Sequence, residues 1–193
     1  MCLLIESIKV ENRQLVAVQW HNKRFNEARS EAFGENSFVD LQKVISIPTT
    51  LTNKVYKCRV LYGKEIEAID FQPYTIRPVK SLKLVDGSSI DYHLKYENRN
   101  ALTELLAQKG EADDILIVKN GCITDTSYAN IALFDGQQWF TPDTYLLNGT
   151  KRQHLLFKGI LQEKQIKVND LQHYTSIKPI NALLNFEDTE SVV

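Results

Sequence analysis

Gly121-Cys122-Ile123-Thr124-Asp125-Thr126-Ser127-Tyr128-Ala129-Asn130 is the stretch on which the reading of the fold turns. Two short apolar runs, residues 115–118 and 131–134, flank it and read as buried strands around the turn signal Asn120-Gly121. Asp135-Gly136 then marks a tight hairpin turn, with Trp139-Phe140-Thr141-Pro142 on its far side. Taken alone, Asp125 reads as a turn aspartate that binds local backbone amides.

Toward the C-terminus, Leu147-Asn148-Gly149-Thr150-Lys151-Arg152 opens a helix expected over residues 150–161, with Leu155, Leu156 and Ile160 inward. By itself this is an ordinary helix start with exposed cations. An uncapped helix N-terminus also offers N–H donors and a favourable dipole to an anion. Residues 168–184 alternate weakly, and residues 187–190 form an acidic tail.

Toward the N-terminus, residues 98–109 carry Leu102, Leu105 and Leu106 on one helical face. Just before them, Tyr92-His93-Leu94-Lys95-Tyr96-Glu97-Asn98-Arg99 places Lys95 between a strand-like segment and a helix start. A lone lysine is ordinarily a solvated surface residue. The turn-rich stretch 86–92 is the expected seam between an N-terminal lobe, residues 1–86, and a C-terminal lobe, residues 87–193.

The N-terminal lobe reads as a sheet with one or two helices. Residues 2–10 and 14–20 predict a hairpin around Glu11-Asn12-Arg13. Residues 21–33 then set Phe25, Ala28, Ala32 and Phe33 at helical spacing, with Gly34 as the left-handed stop. A short helix is expected within residues 38–45, and strands at 55–62, 66–71 and 79–85.

The 193 residues hold 23 basic and 24 acidic side chains, net charge -1, so no broad cationic field draws in nucleic acid or an anionic membrane. Cys2, Cys58 and Cys122 have no C-x-x-C spacing, which argues against a disulfide framework and a zinc site and suits the cytoplasm. No apolar run approaches the roughly 20 residues of a membrane span, and the first residues lack a basic leader. Neither nucleic acid, membrane nor metal is expected as a partner.

Residues 86–160 resemble the fold-type IV pyridoxal-phosphate enzymes, the class IV aminotransferase family, and within it most of all the 4-amino-4-deoxychorismate lyases. The resemblance rests on Lys95-Tyr96-Glu97-Asn98-Arg99, on Gly121 through Asn130 followed by Thr141-Pro142, and on Gly149-Thr150-Lys151-Arg152. Upstream, His21-Asn22-Lys23-Arg24-Phe25 resembles the family's His-x-x-Arg-Leu, and Leu4-Ile5-Glu6-Ser7-Ile8 its Phe-Glu-Thr-Ile-Arg strand.

What this resemblance implies is an α+β protein, two small α/β lobes around a cofactor cleft, in the manner of D-amino acid aminotransferase. Lys95 would carry pyridoxal 5'-phosphate as a Schiff base and serve as the catalytic proton carrier. Asp125 would stand where the family has a glutamate facing the pyridine nitrogen, one methylene shorter. Arg24 and the helix opening at Gly149, Thr150 and Lys151 would hold the phosphate, with Arg29 a surface residue. Ser127 and Asn130 belong to the same cofactor-binding motif. Asn100 occupies the place of a tyrosine found in many aminotransferases, and Arg99 would substitute for it.

The implied reaction is lysis of 4-amino-4-deoxychorismate to p-aminobenzoate and pyruvate. Transamination of branched-chain or D-amino acids is an alternative, and a binding protein of the same fold without turnover is another. A small amino substrate and a homodimer complete the expectation.

Overall fold

The computed structural model describes residues 2–187 and 191–192. The chain forms two compact units, Met1–Ile76 with Leu94–Asn98, and Arg77–His93 with Arg99–Val193. The division differs from a cut after residue 86. Residues 77–93 go with the second unit, and the short segment carrying Lys95 returns to the first.

In the first unit, β1 (Leu4–Glu11), β2 (Gln14–Leu15), β3 (Tyr56–Tyr62) and β4 (Ile66–Pro73) form an antiparallel sheet in the order β2-β1-β3-β4. The expected second strand of the hairpin is only β2. Ala17 takes a left-handed φ of 53° and starts helix α1 (Val18–Phe33) three residues early. Gly34, at φ 66°, stops that helix, its N–H donating to the carbonyls of Arg29 and Ser30. Asp40 caps the short helix α2 (Leu41–Val44) by accepting from the N–H of Gln42.

Because strand side chains alternate, Leu4, Glu6, Ile8 and Val10 share one face of β1, and all four are buried. His21, Arg24, Phe25 and Ala28 lie along one side of α1 at helical spacing. The core of the unit joins Leu4, Ile8, Phe25, Ala28, Tyr62 and Leu94, and Phe25 stacks tilted on Tyr62 at 4.3 Å. Lys95 is pinned alongside β1: its carbonyl accepts the N–H of Ile5, and the N–H of Glu97 donates to the carbonyl of Leu3.

The second unit holds β5 (Leu82–Asp86), α3 (Asn100–Leu106), β6 (Asp114–Lys119), β7 (Cys122–Thr126), β8 (Asn130–Phe134), β9 (Trp139–Pro142), α4 (Thr150–Phe157), β10 (Leu161–Lys164) and β11 (Ser176–Ile180). The sheets run β5-β6-β7 and β10-β9-β8-β11. Strand β5 pairs parallel with β6, Leu84 opposite Leu116, which is why it belongs here. Leu116, Ile123, Ile131, Leu133 and Ile166 form one core cluster. Ala132, facing the other way on β8, packs with Leu155, Leu161 and Ile180.

Helix α4 is shorter than residues 150–161, because Gly159 at φ 69° lets the chain turn into β10. Of the expected acidic tail, residues 188–190 lie outside the described residues, and Glu187 is exposed. The molecule is α+β, and among the described residues no helix is long and apolar enough to cross a membrane.

Candidate active site

In the first unit the chemistry gathers around Glu6, which is fully buried on β1. Arg24 forks onto it, Nε donating to Oε1 at 2.7 Å and Nη2 to Oε2 at 2.6 Å. His21 meets Oε2 through Nδ1 at 2.6 Å. Burial alone would raise the Glu6 carboxyl, but the Arg24 charge and the bonds from His21 and Arg24 outweigh it and bring the pKa down to about 2.

Burial pushes His21 below the usual histidine value, against the pull of Glu6, and the nearby charges of Arg24 and Lys95 push the same way. His21 is therefore neutral at pH 7. Since an ionised Glu6 can only accept, the His21 proton sits on Nδ1. Lys95 itself is half-buried. Arg29, expected on the surface, is instead 1% exposed, with Nε on the carbonyl of Lys64 and Nη1 on that of Ser37. Its guanidinium ties the end of α1 to two loops.

In the second unit the centre is Asp125 on β7, a strand buried at every position. Its Oδ1 accepts from Asn130 Nδ2 at 2.8 Å, and its Oδ2 from the backbone N–H groups of Leu146 and Leu147 at 3.2 and 3.1 Å. Burial raises its pKa to about 6, partly offset by the Leu147 amide, Asn130, the Leu146 amide and the charge of Arg152. At pH 7 the carboxyl is mostly ionised.

Thr126 bridges the turn that follows, its Oγ1 donating to the carbonyl of Ala129 and accepting from the Ala129 N–H. Ser127 is buried in this turn, and Arg99 Nη2 donates to its carbonyl. The structure thus gives Arg99 a backbone partner. Asn100 is the first residue of α3 and is exposed.

The Leu146–Leu147 amides that hold Asp125 lead straight into α4. Gly149 is its cap residue and gives no side-chain bond to the first turn. Thr150 is buried and Lys151 half-buried. Arg152 is buried, with Nη1 on Asn148 Oδ1 and Nη2 on the carbonyl of Pro142 and on Glu163, while its Nε has no hydrogen-bond partner among the described residues, and the guanidinium stacks on Tyr145 at 4.1 Å.

The sequence singled out neither Glu6 nor His21 as site residues, nor the amides of Leu146 and Leu147. For Glu6 a signal was present: a carboxylate at the inward parity between Leu4 and Ile8 needs a buried cation. For the two amides no signal existed, since any residue supplies them.

A family model described as amino-transferase class IV matches residues 3–186. The chain belongs to the class IV aminotransferase family. A Haemophilus influenzae protein, itself uncharacterized, is 35% identical to this class IV chain over 182 residues, 93% of the chain and 97% of that protein. A Haemophilus somnus 129pt structure, proposed to be a 4-amino-4-deoxychorismate lyase, is 32% identical with TM-score 0.89 over 95% of this chain and 97% of that one. The PLP-bound form of a hypothetical aminotransferase from Mycobacterium tuberculosis has the same fold, TM-score 0.79 at 16% identity, covering 98% of this chain and 80% of that one.

Family membership makes the protein a pyridoxal-phosphate-dependent enzyme. The cofactor brings an aldehyde, a pyridine nitrogen and a phosphate dianion, and the chemistry of the candidate residues, taken one at a time, suits each. The amine of Lys95 suits the aldehyde. Asp125, a buried carboxylate ionised at neutral pH, suits a protonated ring nitrogen. The opening of α4, with a glycine where a capping side chain would stand, suits the dianion.

Proposed function

We propose that this enzyme is a lyase that converts 4-amino-4-deoxychorismate to p-aminobenzoate and pyruvate. The observation that carries the reading is the 32% identity over 95% of the chain to the Haemophilus somnus protein proposed to have that activity. The lysine motif supports it: Asn98 and Arg99 follow Lys95 as in the lyases it resembles, and Asn100 stands where many aminotransferases carry a tyrosine.

Pyridoxal phosphate supplies an aldehyde that bonds an amine and a protonated pyridine that draws electrons from the adjacent carbon. In the proposed site Lys95 would hold the aldehyde carbon through Nζ. The same Nζ would serve as the proton carrier, taking a proton from the substrate and returning one to the departing enolpyruvyl methylene. Asp125 keeps the ring nitrogen protonated. The amides of Thr150 and Lys151 bind the phosphate. Arg24, whose Nε and Nη2 Glu6 holds in place, is the proposed side-chain partner of the phosphate. Ser127 lies in the turn that follows Asp125 on β7, and Asn130 donates to the Asp125 carboxylate.

We place the enzyme in the cytoplasm as a homodimer. Light scattering at micromolar concentration checks the dimer, and an active monomer would refute it.

The deciding experiment is turnover of the cofactor-loaded protein. Release of p-aminobenzoate and pyruvate from 4-amino-4-deoxychorismate is expected. Amino transfer from a D- or branched-chain amino acid to a 2-oxo acid, without that release, would assign the aminotransferase reaction instead. Borohydride reduction and peptide mapping should mark Lys95, and a mark on any other lysine overturns its role.

A further inference from the structure

Asn130 opens β8, 6% exposed. Its two amide hydrogens are both committed within the second unit: Nδ2 donates at 2.8 Å to Asp125 Oδ1 and at 2.8 Å to the carbonyl of Leu147. The reverse orientation would turn Oδ1 onto two acceptors, so the hydrogen-bond network fixes the amide. The oxygen points instead at Gly149. A Cβ built on that residue would stand 2.0 Å from Asn130 Oδ1, far inside contact distance. Gly149 has φ −65° and ψ 144°, a backbone that any residue adopts. Its lack of a side chain is thus a matter of space and not of conformation.

We propose that Asn130 is a positioning residue that ties Asp125 to the Leu146–Leu147 turn opening α4, and that position 149 is glycine because Asn130 stands there. The inference deepens the proposed function and rests on it, since Asp125 and the α4 amides are the proposed partners of the ring nitrogen and the phosphate. Asn130 acts on both by tying one to the other. Asp125 Oδ2 is held by the amides of Leu146 and Leu147, and Oδ1 by Asn130, which also holds the Leu147 carbonyl. Carboxylate and turn therefore move as one piece. With an aspartate one methylene shorter than the family's glutamate, such a tie keeps the short carboxylate at a fixed distance from the helix opening.

The groups acting on the Asp125 charge are the Leu147 amide, Asn130, the Leu146 amide and the guanidinium of Arg152 on α4, all against the effect of burial. Removing the Asn130 donor takes a hydrogen bond from the ionised form and raises the carboxyl's midpoint.

The test reads Asp125 directly, in cofactor-free protein, as the carbon-13 carboxyl shift against pH. Asn130→Ala should move the midpoint up by about one pH unit or more, the size of one hydrogen bond to a charged group. Gly149→Ala, which keeps every polar group but displaces Asn130, should move it the same way, and it supplies the answer if Asn130→Ala does not fold. The thermal-midpoint loss caused by Gly149→Ala in the wild type should shrink or vanish in the Asn130→Ala background, because the obstructing amide is gone. An unmoved midpoint in the folded variants, or an equal Gly149→Ala penalty in both backgrounds, overturns the proposal. Full turnover in Asp125→Asn would sink the role of Asp125 at the ring nitrogen without altering this titration, so the two readings fail separately.

Discussion

A single buried carboxylate, Glu6, holds two other residues of the first unit in place. It sits with no exposure between the Arg24 fork and the His21 ring. A buried ion pair is costly to assemble and more costly to break from one side, because the surviving charge stays buried without its partner. Glu6→Gln should therefore destabilise the protein by about 3–5 kcal/mol at pH 7, read by urea denaturation. The same change should weaken cofactor binding if Arg24 contacts the phosphate, since the guanidinium loses its anchor. Arg24→Ala should weaken binding by about ten- to a hundredfold, the scale of one hydrogen bond to a charged group. Lys23→Ala is the control, because Lys23 lies exposed beside it on α1. An equal loss in the control would show that only the basic helix surface matters.

The elements were legible where a local rule governs them. Helix α1 lies between two left-handed residues, Ala17 at φ 53° and Gly34 at φ 66°. At Gly34 nothing lies within 4 Å of where a Cβ would stand, so Gly34→Ala should cost only the conformational penalty, about 1 kcal/mol. Ala17→Gly should run the other way, relieving the same strain at the helix start against the greater freedom of the unfolded glycine. Chemical denaturation of both variants checks the pair, and a destabilised Ala17→Gly would refute the second.

The Gly34 stop could be read from the sequence because glycine advertises a positive φ. The Ala17 start could not, because alanine advertises none, and β2 was overextended for that reason. The alternation of strand β5 is legible in the sequence, but its unit is not, since its parallel pairing with β6 is non-local and its alternation says nothing of its neighbour. Strand β7, which carries Asp125, gives no periodic signal in the sequence, because its every residue is buried and it shows no alternation. Apart from Leu146, the residues of both clusters stand in the quoted motifs, but the fork of Arg24 onto Glu6 and the amides on Asp125 Oδ2 depend on chain segments that meet only after folding.

At the scale of the whole molecule, the two units carry buried acids displaced in opposite directions. Glu6 has a folded pKa of about 2 against an ordinary 4.5, so its contribution to stability is complete above about 4.5 and is lost as pH falls toward 2. Asp125 has a folded pKa of about 6 against 3.8, so the native state binds its proton more tightly, and that contribution is complete below 3.8 and is lost as pH rises through 6. The two windows barely overlap. Native-state hydrogen exchange, corrected for intrinsic rates, can follow each unit by its own amides. In β1 and α1, opening should become easier as pH falls from 5 to 3, and Glu6→Gln should shrink that limb, leaving what His21, itself held below its ordinary value, contributes. In β7 and β8, opening should become easier as pH rises from 4 to 7, and Asp125→Asn should flatten it. Asp125→Asn also sets one amide donor against another at Asn130, so its stability should fall at every pH while the slope disappears. It is therefore the slope, and not the level, that identifies the ionisation. A β7 slope that survives in Asp125→Asn would mean that another group titrates there and that the carboxyl is not held near 6.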